Sequence, residues 1–197
     1  MNQTDVPARR VAFIDEATAT LGAEPDTYIL AAVICPGTVV DDLTDRMRAL
    51  KPSGARKLHW RDIPVKSGLR ETAVRTINQI DVEHVVVVRL EASAERLERR
   101  RRLCMQRLVA ALDDRGVSSI VAESRGRADD QRDVDHFFAM RSRHVAGSGI
   151  RITHDAGPSN AALWAADIVA GAVTAELNGD SRLATMIAEL RIIRIAP

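Results

Sequence analysis

Along the chain, short β-branched apolar runs alternate with stretches whose apolar residues recur every three or four positions. VAFID (residues 11–15) and TYILAAVIC (27–35) read as strands, and the ATATLGAEPD between them carries Gly, Pro and Asp, so an antiparallel hairpin is predicted. Leu43, Met47 and Leu50 space a helix over 41–50, and Leu69, Ala73, Val74 and Ile77 space another over 69–80. VEHVVVVRL (82–90) is almost continuously apolar, as a strand covered on both faces is, and is expected at the centre of the sheet. Residues 94–115 form a long helix with Leu97, Cys104, Leu108 and Leu112 inward and Gly116 as its stop. SSIVAES (118–124) is a strand, and 129–145 a helix with Val134, Phe137, Phe138 and Met140 apolar. IRIT (150–153) is a last strand before a helix opened by Pro158, with Ser159 as N-cap. The segment after Ser181 reads as a short helix running into an unassigned RIIRI. An opening hairpin followed by alternating strands and helices predicts the α/β class, a mixed sheet with helices on both faces.

Length and composition set limits on this picture. A chain of 197 residues is long enough for one sizeable core, so residues 11–197 are expected as a single domain behind a disordered tail over 1–10. The net charge of +1 excludes binding through a broadly basic surface and leaves only local patches. Cys35 and Cys104 sit among apolar residues without metal-ligand spacing and read as reduced, buried thiols. With no signal sequence and no span long enough for a bilayer, the expectation is a cytoplasmic protein without a membrane partner. Oligomeric state is not legible.

Asp167 is the only charged residue in AALWAADIVAGAV (161–173). On or beside the buried stripe of a helix, an unpaired carboxylate costs several kcal/mol or takes up a proton. It must therefore meet a buried Arg, a helix N-terminus, a backbone amide, a proton or a divalent cation. Asp15 ends the first strand and Glu123 ends the fourth, positions where side chains distant in sequence converge. Together the three acids can form a carboxylate cluster of the kind that Mg2+ or Mn2+ neutralises, and two such ions can activate water and clamp a scissile phosphate. A solvated loop carboxylate or a helix cap is the competing reading for Asp15 and Glu123, as an Arg or amide partner is for Asp167.

Other polar features have two readings each. His59, in KLHWRDI, either contacts phosphate or is held for structure, and Arg61 either joins it or pairs with Asp62. Arg125 and Arg127 flank Gly126 just after Glu123 and either hold a nucleic-acid backbone or pair with Asp129 and Asp130. The basic run at residues 99–102 reads either as a phosphate-binding strip or, the reading favoured by Glu95 and Glu98 one turn before it, as a solvated helix face. His154 and Asp155 are either peripheral ligands or turn residues.

FIDEA, YILAAVI, KLHWRDI, SIVAES and LWAADIVAGAV together resemble domain-of-unknown-function family 3800, over about residues 10–178. Its members belong to the ribonuclease H-like fold group, open with a strand ending in Asp-Glu-Ser and close with a helix approximating Leu-Gln-x-Ala-Asp-x-x-Ala-Gly. The resemblance implies a ribonuclease H-like sheet and a nuclease-like hydrolase acting on nucleic acid, with Asp15, Glu123 and Asp167 as metal ligands, Glu16 as auxiliary ligand or base and His59 towards the substrate; Arg61, Arg125 and Arg127 are expected on the substrate side from their own places in the sequence. Ala17 stands where the family has Ser, Trp164 falls near its Gln, and Glu123 stands where ribonuclease H-like enzymes more often have Asp. A non-catalytic binding module of the same fold is the rival expectation.

Overall fold

The computed structural model describes residues 9–20, 25–90, 95–142 and 149–196. Six strands among these residues form one mixed sheet: β1 (Arg10–Thr20), β2 (Pro25–Pro36), β3 (Glu83–Arg89), β4 (Val117–Glu123), β5 (Arg151–Asp155) and β6 (Leu190–Ile195), in the order β5-β4-β1-β2-β3-β6. The expected hairpin is present, with β1 antiparallel to β2 and Asp15 opposite Ala31. β3 is antiparallel to β2, whereas β4 is parallel to β1, β5 to β4 and β6 to β3. Of the tail expected over residues 1–10, only the last two are described, and Arg10 already belongs to β1.

The helices are α1 (Val40–Ala49), α2 (Leu69–Ile77), α3 (Leu97–Asp113), α4 (Arg127–Ser142), α5 (Ala162–Leu177) and the short α6 (Arg182–Met186). One core layer joins Phe13, Ile29, Val33 and Val86 of the sheet to α1, α2 and the apolar length of α5. The other joins Ala12, Ile14, Leu30 and Val87 to Cys104, Leu108 and Leu112 of α3 and to Phe137 and Met140 of α4. Residues alternate between the faces of a strand, so each strand supplies both layers.

Four sequence expectations need correction. β3 is buried on both faces but is not central, because the unassigned RIIRI forms edge strand β6 along it; the two central strands are β1 and β2. Asp15 does not end its strand. β1 continues to Thr20 beside β2, while its parallel pairing with β4 stops at Ile14 opposite Ala122, so Asp15 lies where β1 outruns its neighbour. At the start of α5 it is Asn160, not Ser159, whose side-chain oxygen accepts the Ala162 amide at 3.1 Å. The basic run on α3 is only half a solvated face: Arg99, which pairs with Glu95, and Arg102 are exposed, but Arg100 and Arg101 are buried. The part of the helix expected beyond Ser142 lies outside the described residues.

Candidate active site

Phe13 and Ala17 of β1 and Val121 of β4 pack into the layer beneath α5. Period-two alternation therefore turns Asp15 and Glu123 to that same face, next to each other where the β1–β4 ladder ends. Asp167 comes down to them from α5. Burial first, and then the charges of Asp167 and Glu123, push the Asp15 carboxyl up to about 8, against the Glu16 amide that donates to its Oδ1 at 2.7 Å and the nearby Lys57. The three acids predicted to converge are thus electrostatic neighbours on one face of the sheet.

The loop between α1 and α2 closes over them. Leu58 and Ile63 anchor it in the core, and Lys57 and His59, on either side of Leu58, face the acids. Lys57 Nζ donates to Glu123 Oε1 at 2.6 Å. Burial disfavours its ammonium, but the Glu123 hydrogen bond and the charges of Glu123, Asp15 and Asp167 outweigh that and hold its pKa above the usual lysine value. His59 Nδ1 lies 3.1 Å from both oxygens of Asp167, and this bond raises the His59 pKa despite partial burial. The Trp60 amide donates to Asp167 Oδ2 at 2.6 Å. Asp167, 7% exposed, is therefore met by a backbone amide and a histidine rather than by an Arg.

Two glycines allow this fit. A Cβ on Gly171, one turn after Asp167, would overlap the Trp60 indole; a Cβ on Gly157 would overlap the Glu123 carboxylate. Trp164 is buried and donates through Nε1 to the Gly157 carbonyl at 2.7 Å, which fixes that glycine. A groove of about 270 Å3 leads away from Asp167 between Ala17, Thr18, Trp60, Gly171 and Thr174. Arg61 and Arg70 line it, the latter 4.2 Å above the Trp60 ring and bonded to the Trp60 carbonyl at 3.2 Å.

The remaining candidates are not brought to the acids. Glu16 faces the α3 side of the sheet, where its carboxylate meets the Tyr28 hydroxyl and Arg101. Arg101 also forks onto Asp133 at 2.9 and 2.6 Å, and Arg125 Nη2 and His154 Nε2 reach Asp133 at 3.2 and 3.1 Å. Arg125 and His154 thus belong to a structural network and do not face a phosphate or the acids. Asp155 accepts from Asn160, and Arg127 is exposed at the start of α4.

Lys57, Trp60 and Arg70 are site residues that the sequence reading passed over. Lys57 had a signal, since it stands in the same KLHWRDI segment two positions before His59.

The all-oxygen donors Asp15, Glu123 and Asp167 suit Mg2+ or Mn2+ in chemistry, and the upward push on Asp15 marks a deficit of positive charge that such an ion would supply. As placed, no three His, Cys, Asp or Glu side chains among the described residues are close enough to hold one ion, so binding requires the carboxylates to close up. Lys57 is the cation present among them.

No protein-family model matches the chain, and no curated protein matches it in sequence. Solved structures do match in shape. Ribonuclease H2 from Pyrococcus horikoshii OT3 aligns with 85% of this chain and 72% of its own at a TM-score of 0.57 and 18% identity. Ribonuclease HII from Archaeoglobus fulgidus, solved as a complex with PCNA, aligns with 86% and 78% at 0.54 and 18% identity. Bst-RNase HIII in complex with Mn2+ aligns with 86% at 0.55 and 15% identity, this chain spanning 53% of its length. The mixed six-stranded sheet with its flanking helices is a ribonuclease H-like fold.

Proposed function

We propose that the protein is a divalent-metal-dependent phosphodiesterase or nuclease-like enzyme that hydrolyses nucleic acid, and that it is a cytoplasmic relative of domain-of-unknown-function family 3800. The observation that carries this reading is the Asp15 carboxyl, pushed to about 8 by burial and by two further acids that α5 and β4 turn towards it. Clustered acids of this kind cost stability, and such arrangements concentrate at functional sites. The ribonuclease H-like fold, which a ribonuclease HIII solved with Mn2+ shares, supports the same reading by analogy.

Asp15, Glu123 and Asp167 would hold Mg2+ or Mn2+, which when bound would supply an activated water and neutralise charge on the phosphate. His59 and the Trp60 amide fix the two oxygens of Asp167, so its orientation does not depend on the ion. Arg61 and Arg70 offer charge along the groove for phosphates flanking the scissile bond. Trp60, seated on Gly171, positions both the Arg70 guanidinium and the loop that carries His59.

The test is Mn2+-supported cleavage of single-stranded, duplex and hybrid substrates by wild type and by Asp15→Asn. Cleavage that requires Mn2+ and falls to background in the variant is expected; equal cleavage by both proteins removes the mechanism. The rival, a non-catalytic binding module, draws support from Lys57, which already brings a positive charge to the acids. It predicts nucleic-acid binding without Mn2+-dependent cleavage.

A further inference from the structure

Lys51, Lys57 and Lys66 are the only lysines among 28 basic residues, and one of these three stands at the acid cluster. The type of side chain matters. A guanidinium is a planar fork that takes two carboxylate oxygens along fixed directions, whereas an ammonium is a compact point charge with three rotatable donors on a flexible stem. Of the two, only the ammonium resembles a metal ion in size and in the way it gathers oxygens from several directions. Lys57 donates to Glu123 Oε1 at 2.6 Å, and its charge acts on Asp15 and Asp167 as well. Its loop is pinned directly after it, by Leu58 in the core and by the Trp60 amide on Asp167, so the ammonium is held at the cluster by neighbours that would stay in place if it moved. The four-carbon stem gives it room to swing away.

Resting on the reading that these acids take a divalent ion, we propose that Lys57 is a built-in cation that occupies the carboxylate cluster and must be displaced when the metal binds, so that Lys57 sets the metal affinity of the site. The Glu123 oxygen bonded to the ammonium is one that the ion would need, and the repulsion between Lys57 and a divalent charge at the cluster opposes entry of the ion. The same contact explains how three acids are tolerated on one face when no ion is present.

Mn2+ binding, followed by isothermal titration calorimetry and by the electron paramagnetic resonance of free Mn2+, tests this on wild type, Lys57→Met and Lys57→Arg. Lys57→Met keeps the unbranched apolar stem and removes the charged terminal atom, and is expected to bind Mn2+ at least about tenfold more tightly, or about 1.4 kcal/mol; Lys57→Arg is expected to stay within a few-fold of wild type. Equal or weaker binding by a Lys57→Met protein with wild-type circular dichroism overturns the proposal while leaving the metal reading intact. Absence of Mn2+ binding to every protein overturns both. A second measurement needs no variant: acetylation of Lys57 by an N-hydroxysuccinimide ester, read by mass spectrometry, should accelerate as Mn2+ saturates the wild-type protein, while the exposed Lys66 stays constant as the internal reference. An unchanged Lys57 rate at saturating Mn2+ likewise overturns it.

Discussion

Asp15 and Glu16 are consecutive residues of one strand, and the two faces of the sheet treat their carboxyl groups in opposite ways. On the α5 face, Asp15 meets two more acids, and its pKa is pushed to about 8. On the α3 face, Glu16 joins a network in which Arg101 supplies forked hydrogen bonds, with Tyr28, Arg125 and His154 completing it. There Asp133, although burial alone would raise its pKa, is held well below the usual carboxylate range by Arg101, His154 and Arg125. Buried acids are thus satisfied on one side of β1 and crowded on the other. A network with its partners in place stabilises and positions, whereas crowded acids hold a charge deficit that a ligand can fill. Glu16, clamped to Arg101, also anchors the backbone that presents Asp15.

The sharpest way to break this contrast is Arg101→Met. It leaves Asp133 and Glu16 without their main partner in a site where Arg101 is 3% exposed and Asp133 5%, and should cost about 3–5 kcal/mol in chemical denaturation. A loss below 1 kcal/mol would show that the α3-face network is not structural. Next in size is Gly171→Ala, whose methyl must displace the Trp60 indole; about 1–3 kcal/mol is expected from overpacking, together with loss of the Trp60 fluorescence of the native site.

Asp15→Asn should act in the opposite direction and stabilise. In the native state the Asp15 pKa is raised from 3.8 to about 8, so between those values the folded protein binds more protons than the unfolded chain, and stability falls as pH rises. The variant lacks that fall. With a chelator present, its melting temperature should match wild type near pH 4 and exceed it by at least about 2 °C at pH 8; a gain that does not grow with pH would show that Asp15 is not crowded by charge. The smallest effect sets the baseline. Arg46→Ala removes an exposed pair with Asp42 on α1, away from both faces' buried acids, and should change stability by no more than about 0.5 kcal/mol.

Much of the fold was legible because local patterns carry it. The hairpin, the doubly covered Val85–Val88 run and the apolar α5 each follow from periodicity and β-branching, and Gly116 stops α3 with a φ of 68°. β6 was not legible, since RIIRI is too short and too polar to declare itself and becomes a strand only through pairing with β3. The α3-face network was hidden for a related reason. Arg101 falls on the same stripe as Cys104, Leu108 and Leu112, and Asp133 lies one turn before Phe137, so both are buried polar residues at core spacing, while Leu97, assigned inward, and the apolar Phe138 are exposed. The isolation that singled out Asp167 in its apolar helix marks Asp133 and Arg101 less clearly, because charged neighbours surround them in the sequence.

By itself the sequence determined that Asp167 would be a buried acid, that Asp15 and Glu123 would lie at related places on strands, and that the chain would build a mixed sheet between helices. The place expected for Glu16 beside them was overturned by the structure, because β1 continues past Asp15 and successive strand residues point in opposite directions. What only the tertiary structure decided was which side chains meet those acids. Lys57, His59 and Trp60 reach Asp167 and Glu123 across separations of 66 to 108 residues. Arg101 reaches Glu16 across 85. A charge acts through space and not along the chain, so its partner is set by the packing of elements that no local pattern can place.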